Sequence, residues 1–173
     1  MDTRYAITLA RARDVPALAA IERAADRLLE DLLPASLLGE TTDEHELREA
    51  QIGGRLWVAL ADDTPVGFAL VELLDADRPH LEELDVHPDH GQRGIGSALV
   101  RAVLAWLEAS RHGELTLTTF REVPWNMPFY ARLGFEEIPA AEIPPELAAV
   151  VRDEEAHGLD PALRTVMRRR VNP

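Results

Sequence analysis

Leu81-Glu82-Glu83-Leu84-Asp85-Val86, then Gly91-Gln92-Arg93-Gly94-Ile95-Gly96-Ser97, then the run from Ser97 to Ser110: these residues decide how the chain reads. The first part has the composition of a strand and the second that of a tight turn. The third carries Leu99, Val100, Val103, Leu104, Trp106 and Leu107 at helical spacing. A strand, a glycine turn and a helix N-terminus in series suit an anion. The first helical N–H groups lack partners, and the helix dipole adds partial positive charge. Gly94 and Gly96 have no Cβ, so a phosphate can approach the backbone closely, and Arg93 adds a full charge. Taken alone, the glycines equally describe an ordinary flexible loop. They are not a dinucleotide fingerprint, because the G-x-G-x-x-G spacing is reversed and Leu99 stands where the third glycine belongs. They are not a Walker loop either, because no Lys-Ser or Lys-Thr follows.

Upstream, Ala6 to Leu9 reads as a strand. Asp14 before Val15-Pro16 reads as a helix start, and Leu18, Ile21, Ala25, Leu28 and Leu29 carry a helix to about Glu30. A second helix spans Glu44 to Ile52, stopped by Gly53-Gly54. Arg55 to Ala61 and Val66 to Leu74 form a predicted antiparallel hairpin about Asp62-Asp63-Thr64-Pro65, and His80 to Val86 is the strand that feeds the glycine turn. Downstream come a strand at Leu115 to Phe120, a short helix at Pro124 to Leu133 and a strand start at Phe135 to Ile138. A helix at Pro145 to His157 and a closing strand at Leu163 to Val171 follow. The section from His80 to Phe120 reads as a right-handed crossover between parallel strands. With hairpins before it, this predicts an α/β fold with a mixed sheet and helices packed on it, in a single domain over residues 1–173.

Composition narrows the function. The 173 residues carry a net charge of -13, which argues against non-specific nucleic-acid binding and favours cationic or amine partners. The absence of cysteine excludes disulfides and a cysteine nucleophile, and fits a reducing cytoplasm. No apolar run approaches the ~20 residues of a membrane span, and the first residues lack the apolar core of a signal peptide. The histidines show no paired metal spacing, so no metal is expected.

Three segments, Leu84-Asp85-Val86-His87-Pro88, Gly91 to Leu99, and Trp125-Asn126-Met127-Pro128-Phe129-Tyr130-Ala131-Arg132-Leu133-Gly134-Phe135, resemble the GNAT superfamily of acyl-CoA N-acyltransferases in order and separation. The resemblance covers roughly residues 5 to 138. It implies a mixed, mostly antiparallel central sheet with a splayed parallel strand pair and helices on both faces. It further implies acetyl-CoA as co-substrate, paired along Leu84, Asp85 and Val86 near a bulge, with its pyrophosphate on Gly91, Gln92, Arg93, Gly94, Ile95, Gly96 and Ser97. Asn126 matches a position that contacts the CoA arm. The family's loop usually begins with Arg or Gln, where this chain has Gly91, so Gln92 or Arg93 is expected to assist the backbone.

The implied reaction is direct transfer of an acetyl group to a primary amine in a ternary complex. Tyr130 matches the family's frequent general acid and stands at i+4 from Asn126, on the same helical face. If Leu84 and Val86 face the core, period two brings Glu82 and His80 to that face and turns Glu83, Asp85 and His87 away. Glu82 is therefore the first candidate for a base, directly or through a water, and His80 the second. A bulge would promote Glu83 instead. Solvated or salt-bridged side chains fit the same pattern, and an amine entering deprotonated needs no dedicated base. The acidic residues Asp43, Glu44, Glu46 and Glu49 read first as a solvated helix face, and Arg168-Arg169-Arg170 as strand surface. Expected acceptors are small-molecule or peptide amines, and the resemblance admits a homodimer. The rival readings are a CoA-binding sensor or interaction module without transfer, and an O-acyltransferase.

Overall fold

The computed structural model describes residues 5–110 and 112–171. In chain order the strands and helices are β1 (Tyr5–Leu9), α1 (Leu18–Asp26), α2 (Glu44–Ile52), β2 (Leu56–Ala61), β3 (Thr64–Leu74), β4 (Arg78–Val86), α3 (Ile95–Ala109), β5 (Glu114–Phe120), α4 (Met127–Arg132), β6 (Glu136–Glu137), α5 (Pro145–Ala156) and β7 (Arg164–Arg170). The strands are ordered β1-β2-β3-β4-β5-β7-β6. Pairings β1·β2, β2·β3, β5·β7 and β6·β7 are antiparallel, and β4·β5 is parallel, with its register at His80↔Thr116. This is the mixed, mostly antiparallel sheet that the sequence implies. None of the described helices is long and apolar enough to cross a membrane.

The chain divides into two compact units: Met1–Glu72 with Glu82–Trp106, and Leu73–Leu81 with Leu107–Pro173. In the first, every residue of β2 is buried, because both faces of the strand are covered. Leu56, Val58 and Leu60 pack with Phe68 and Leu70 of β3, Leu18 and Ile21 of α1, and Leu47 and Ala50 of α2. On the opposite face, Trp57 meets Trp106 of α3 edge to face, with ring centroids 5.7 Å apart. In the second unit, Leu147 and Val151 of α5 pack with Ile138 and Val166.

Local chemistry explains where elements start and stop. The β2–β3 hairpin turns on Asp62 and Asp63, both at positive φ (48° and 65°), as a two-residue loop of primed type requires. Aspartate tolerates this region, and Arg11 and Arg13 each hold the Asp63 carboxylate at 2.8 Å. The turn is thus shorter than the sequence suggests, and Thr64 and Pro65 belong to β3. Asp43 caps α2 by accepting the His45 N–H at 2.8 Å. Asp14, predicted to cap the first helix, does not. Its buried carboxylate takes the Arg11 backbone N–H at 2.8 Å and the Arg11 guanidinium at 2.9 Å. A single 3-10 turn, Val15–Ala17, leads into α1, and another, Arg27–Leu29, follows it.

Candidate functional site

The glycine turn lies wholly in the first unit. After β4, Pro88–His90 form one 3-10 turn closed by Gly91 N–H on Pro88 O at 3.0 Å. Gln92 and Gly94 take positive φ (58° and 77°), and α3 begins at Ile95, two residues earlier than the spacing predicts. At Gly94 a side chain would be strained by that φ although open space surrounds it. The first helical bond is Ala98 N–H to Gly94 O, 3.0 Å, so the amides of Ile95, Gly96 and Ser97 precede the helix's own ladder. Ile95, Leu99, Val100 and Val103 are buried and fix the axis of α3, while Gln92, Arg93 and Gly94 are exposed.

Arg93 is not an idle cation above this turn. Its guanidinium donates to Tyr5 Oη at 2.8 Å and to Asp89 O at 3.2 Å. Tyr5 Oη also lies 3.2 Å from His90 Nδ1, and the two rings meet edge to face. Tyr5 and His90 are anchors that the sequence did not single out, since nothing local signals a contact across so many residues.

Leu84, Asp85 and Val86 are half-buried. His87 N–H bonds Val66 O at 2.8 Å, and Gly67 of β3 makes room for β4: a Cβ there would stand 2.8 Å from Asp85 O. The parity expectation needs correcting. Glu82 is exposed, while the desolvated carboxyls are those of Glu83 and Asp85. Pro79, His80 and Leu81 are all buried in succession, so this strand has no clean wet face to mark. Glu83 and Asp85 are hydrogen-bonded to each other and lie in the field of Glu22 and Asp26, one turn apart on α1. Burial first, then repulsion (from Asp85 on Glu83, and from Glu22 and Asp26 on Asp85), holds both strand carboxyls well above the ordinary carboxylate range. Burial likewise raises Glu22 and Asp26. Glu22 is 6% exposed, and its Oε1 accepts from Thr42 N at 2.9 Å and Thr42 Oγ1 at 3.1 Å. Two acids in α1 beside the apolar positions Leu18 and Ile21 were the available signal.

The second unit carries the other predicted residues. Asn126 precedes α4 as its N-cap, but its side chain makes no capping bond. Its carbonyl accepts the Tyr130 N–H at 3.0 Å, so the backbone fixes the predicted i+4 relation. Tyr130 is buried between the rings of Phe129 and Phe135, with centroids 5.0 and 5.6 Å away. His80 is 1% exposed and its Nδ1 lies 2.9 Å from Thr116 Oγ1. The Thr116 hydroxyl donates to Pro79 O, so His80 donates from Nδ1. Burial first, then the Arg164 charge, lowers its pKa to about 4, so the ring is neutral at pH 7. A cavity of about 170 Å³ in the same unit is lined by Thr118, Arg121, Glu137, Glu154 and Arg164, but these pair among themselves. Among the described residues no group of three His, Asp or Glu side chains is arranged to hold a metal.

Known proteins share this architecture. PaiA N-acetyltransferase from Thermoplasma acidophilum, solved in complex with coenzyme A, superposes with a TM-score of 0.75 at 16% identity, covering 97% of this chain and 99% of that one. Rv2747 from Mycobacterium tuberculosis, also solved with CoA, gives a TM-score of 0.63 at 24% identity over 96% and 99%. A mycothiol acetyltransferase from Nocardiopsis dassonvillei is 43% identical over 65 residues, which is 35% of this chain and only 19% of that protein. The family model described as "Acetyltransferase (GNAT) family" matches residues 21–135, more than half of the sequence, and the chain belongs to that family.

Proposed function

We propose that residues 1–173 form a single N-acetyltransferase domain that moves an acetyl group from acetyl-CoA to a primary amine by direct attack in a ternary complex. The observation that carries this reading is the glycine turn within the family match: left-handed Gln92 and Gly94 lead into the unladdered amides of Ile95, Gly96 and Ser97. Donors so arranged suit a pyrophosphate. Arg93, tied to Tyr5, holds the turn's shape and lends its charge, while Gly91 leaves the backbone to do most of the binding. Leu84, Asp85 and Val86 offer backbone groups to the pantetheine amides, and Asn126 keeps an uncommitted cap side chain for the CoA arm.

In the step itself the amine nitrogen attacks the thioester carbonyl, the N–C bond forms, and the C–S bond breaks. Tyr130 gives its phenolic proton to the departing sulfur and recovers one from solvent. The proton shed by nitrogen leaves through Glu82 or a water. A phenol at ~10 and a thiol at ~8.5 make the sulfur protonation only mildly uphill. The domain works in the cytoplasm, where acetyl-CoA and amines meet.

Thiol release from acetyl-CoA over a panel of amines tests the reading. The expected result is amine-dependent release, with Tyr130→Phe lowering kcat by about 10²-fold or more while the Kd for acetyl-CoA changes little. Undiminished turnover in Tyr130→Phe removes the acid role. No release with any amine, despite CoA binding, removes the transferase reading.

A further inference from the structure

The connection from β6 to β7 covers residues 138–163, although the two strands pair directly as antiparallel neighbours. About two to five residues suffice to join such neighbours. Helix α5 and its flanking 3-10 turns, Ala140–Glu142 and Pro161–Leu163, are therefore an addition to the sheet. The addition lies beyond residue 135, where the family match ends. With β5 and β7 it encloses the cavity of about 170 Å³, and Tyr130, Glu82 and Asn126 are not among the residues that line that cavity. Ile138, Ile143, Val151 and Val166 give the cavity an apolar floor. Two cations lie against it. Arg164 is engaged: it meets both Glu154 oxygens, at 2.6 and 3.2 Å, and stacks 4.7 Å from the centre of the Phe120 ring. Arg121 is 42% exposed and commits only Nη2, to Glu137 at 2.6 Å, so its Nε and Nη1 have no partner among the described residues. Glu155, also in the lining, is exposed and pairs with no cation among the described residues.

We propose that this cavity binds a free α-amino acid with an aliphatic side chain, at a site apart from the acetyl acceptor. Its volume, about 170 Å³, is below the roughly 300–1,000 Å³ of a drug-sized pocket and suits a small ligand. The charges around it have both signs: Arg121 and Arg164 against Glu137, Glu154 and Glu155. A plain carboxylate would satisfy Arg121 but face Glu155 with a like charge. A plain amine would satisfy Glu155 and leave the spare Arg121 donors unused. A zwitterion answers both, its carboxylate taking N–H groups of Arg121 and its ammonium donating to Glu155. An α-amino acid also sets a third arm beside these two charges, and an aliphatic arm buries apolar surface against Ile138, Ile143, Val151 and Val166.

Titration calorimetry without acetyl-CoA, using leucine, glycine, 4-methylpentanoate and isopentylamine, reads each arm separately. Leucine is expected to bind at least about fivefold more tightly than each of the other three, which lack the apolar arm, the ammonium or the carboxylate. Arg121→Gln should weaken leucine and 4-methylpentanoate and spare isopentylamine. Glu155→Gln should weaken leucine and isopentylamine and spare 4-methylpentanoate. Both side chains are exposed enough for the variants to fold, which the melting temperature checks. No leucine binding at millimolar concentration overturns the proposal, as does glycine or either singly charged analogue binding as tightly as leucine. A leucine affinity that survives both substitutions overturns it too. Because acetyl-CoA is left out, a failed transferase reading does not affect these results. Mass spectrometry with acetyl-CoA present completes the test. N-acetylleucine formed with a KM that follows the leucine Kd through both variants would make the cavity the acceptor pocket and overturn its separateness. Leucine binding that Arg121→Gln and Glu155→Gln weaken, without N-acetylleucine, supports the site.

Discussion

Glu46 shows how far a residue can depart from the reading its neighbours invite. Glu44 pairs with Arg48 at 2.5 Å and His45 lies near Glu49, both on an exposed helix face as the charge run suggests. Glu46 instead shares a hydrogen bond with Glu72 of β3; that bond, partial burial and repulsion raise it to about 7. A carboxyl titration near pH 7 is expected by carbon-detected NMR, and Glu72→Gln should return Glu46 toward the ordinary carboxylate range. The sign is that of a raised acid: the stability it contributes is present below about pH 4.5 and is lost as pH rises through 7. Arg93 makes the complementary point. A cation in a phosphate turn reads as a ligand contact, yet its guanidinium is engaged with Tyr5 and Asp89. Tyr5→Phe removes that bond without removing charge, and is expected to raise the Kd for acetyl-CoA a few-fold, about 0.5–1.5 kcal/mol, in direct titration.

Elements were legible where their signals are local. The Gly91 to Ser97 turn and the buried stripe of α3 follow from glycine chemistry and helical period, and α2 follows from Asp43 and Gly53-Gly54. The orientation of β4 was not legible, because period two reports a face only when the other face is wet. Long-range fits were also silent in the sequence: Thr42 on Glu22, Tyr5 on Arg93, and Gly67 under Asp85. Gly67 is the most testable of these. Gly67→Ala sets a methyl 2.8 Å from a backbone oxygen that cannot swing aside. The expected loss is about 1–3 kcal/mol by thermal or urea unfolding, with weaker acetyl-CoA binding because Asp85 belongs to the proposed pantetheine edge.

For the whole molecule, two opposed titrations shape stability. His80 has its pKa lowered from 6.5 to about 4, so the unfolded chain binds the extra proton between these values and stability rises with pH across that window. Glu22, Asp26, Glu83 and Asp85 are raised, so their contribution is present at or below the ordinary carboxylate range and is lost as pH rises above it. Asp85→Asn is therefore expected to raise the melting temperature at pH 8 more than at pH 5, in scans across that range. An unchanged difference would remove the cluster from the stability profile. The net charge of -13 adds general repulsion, so moderate salt should stabilise as well. The tie between Arg93 and Tyr5 has a temporal consequence. Tyr5 opens β1, which stands at the edge of the sheet order, and strand ends at an edge fray fastest. Fraying of that end releases the guanidinium and loosens the turn, so faster hydrogen exchange at the β1 amides should go with a shorter residence time of a phosphate on the turn.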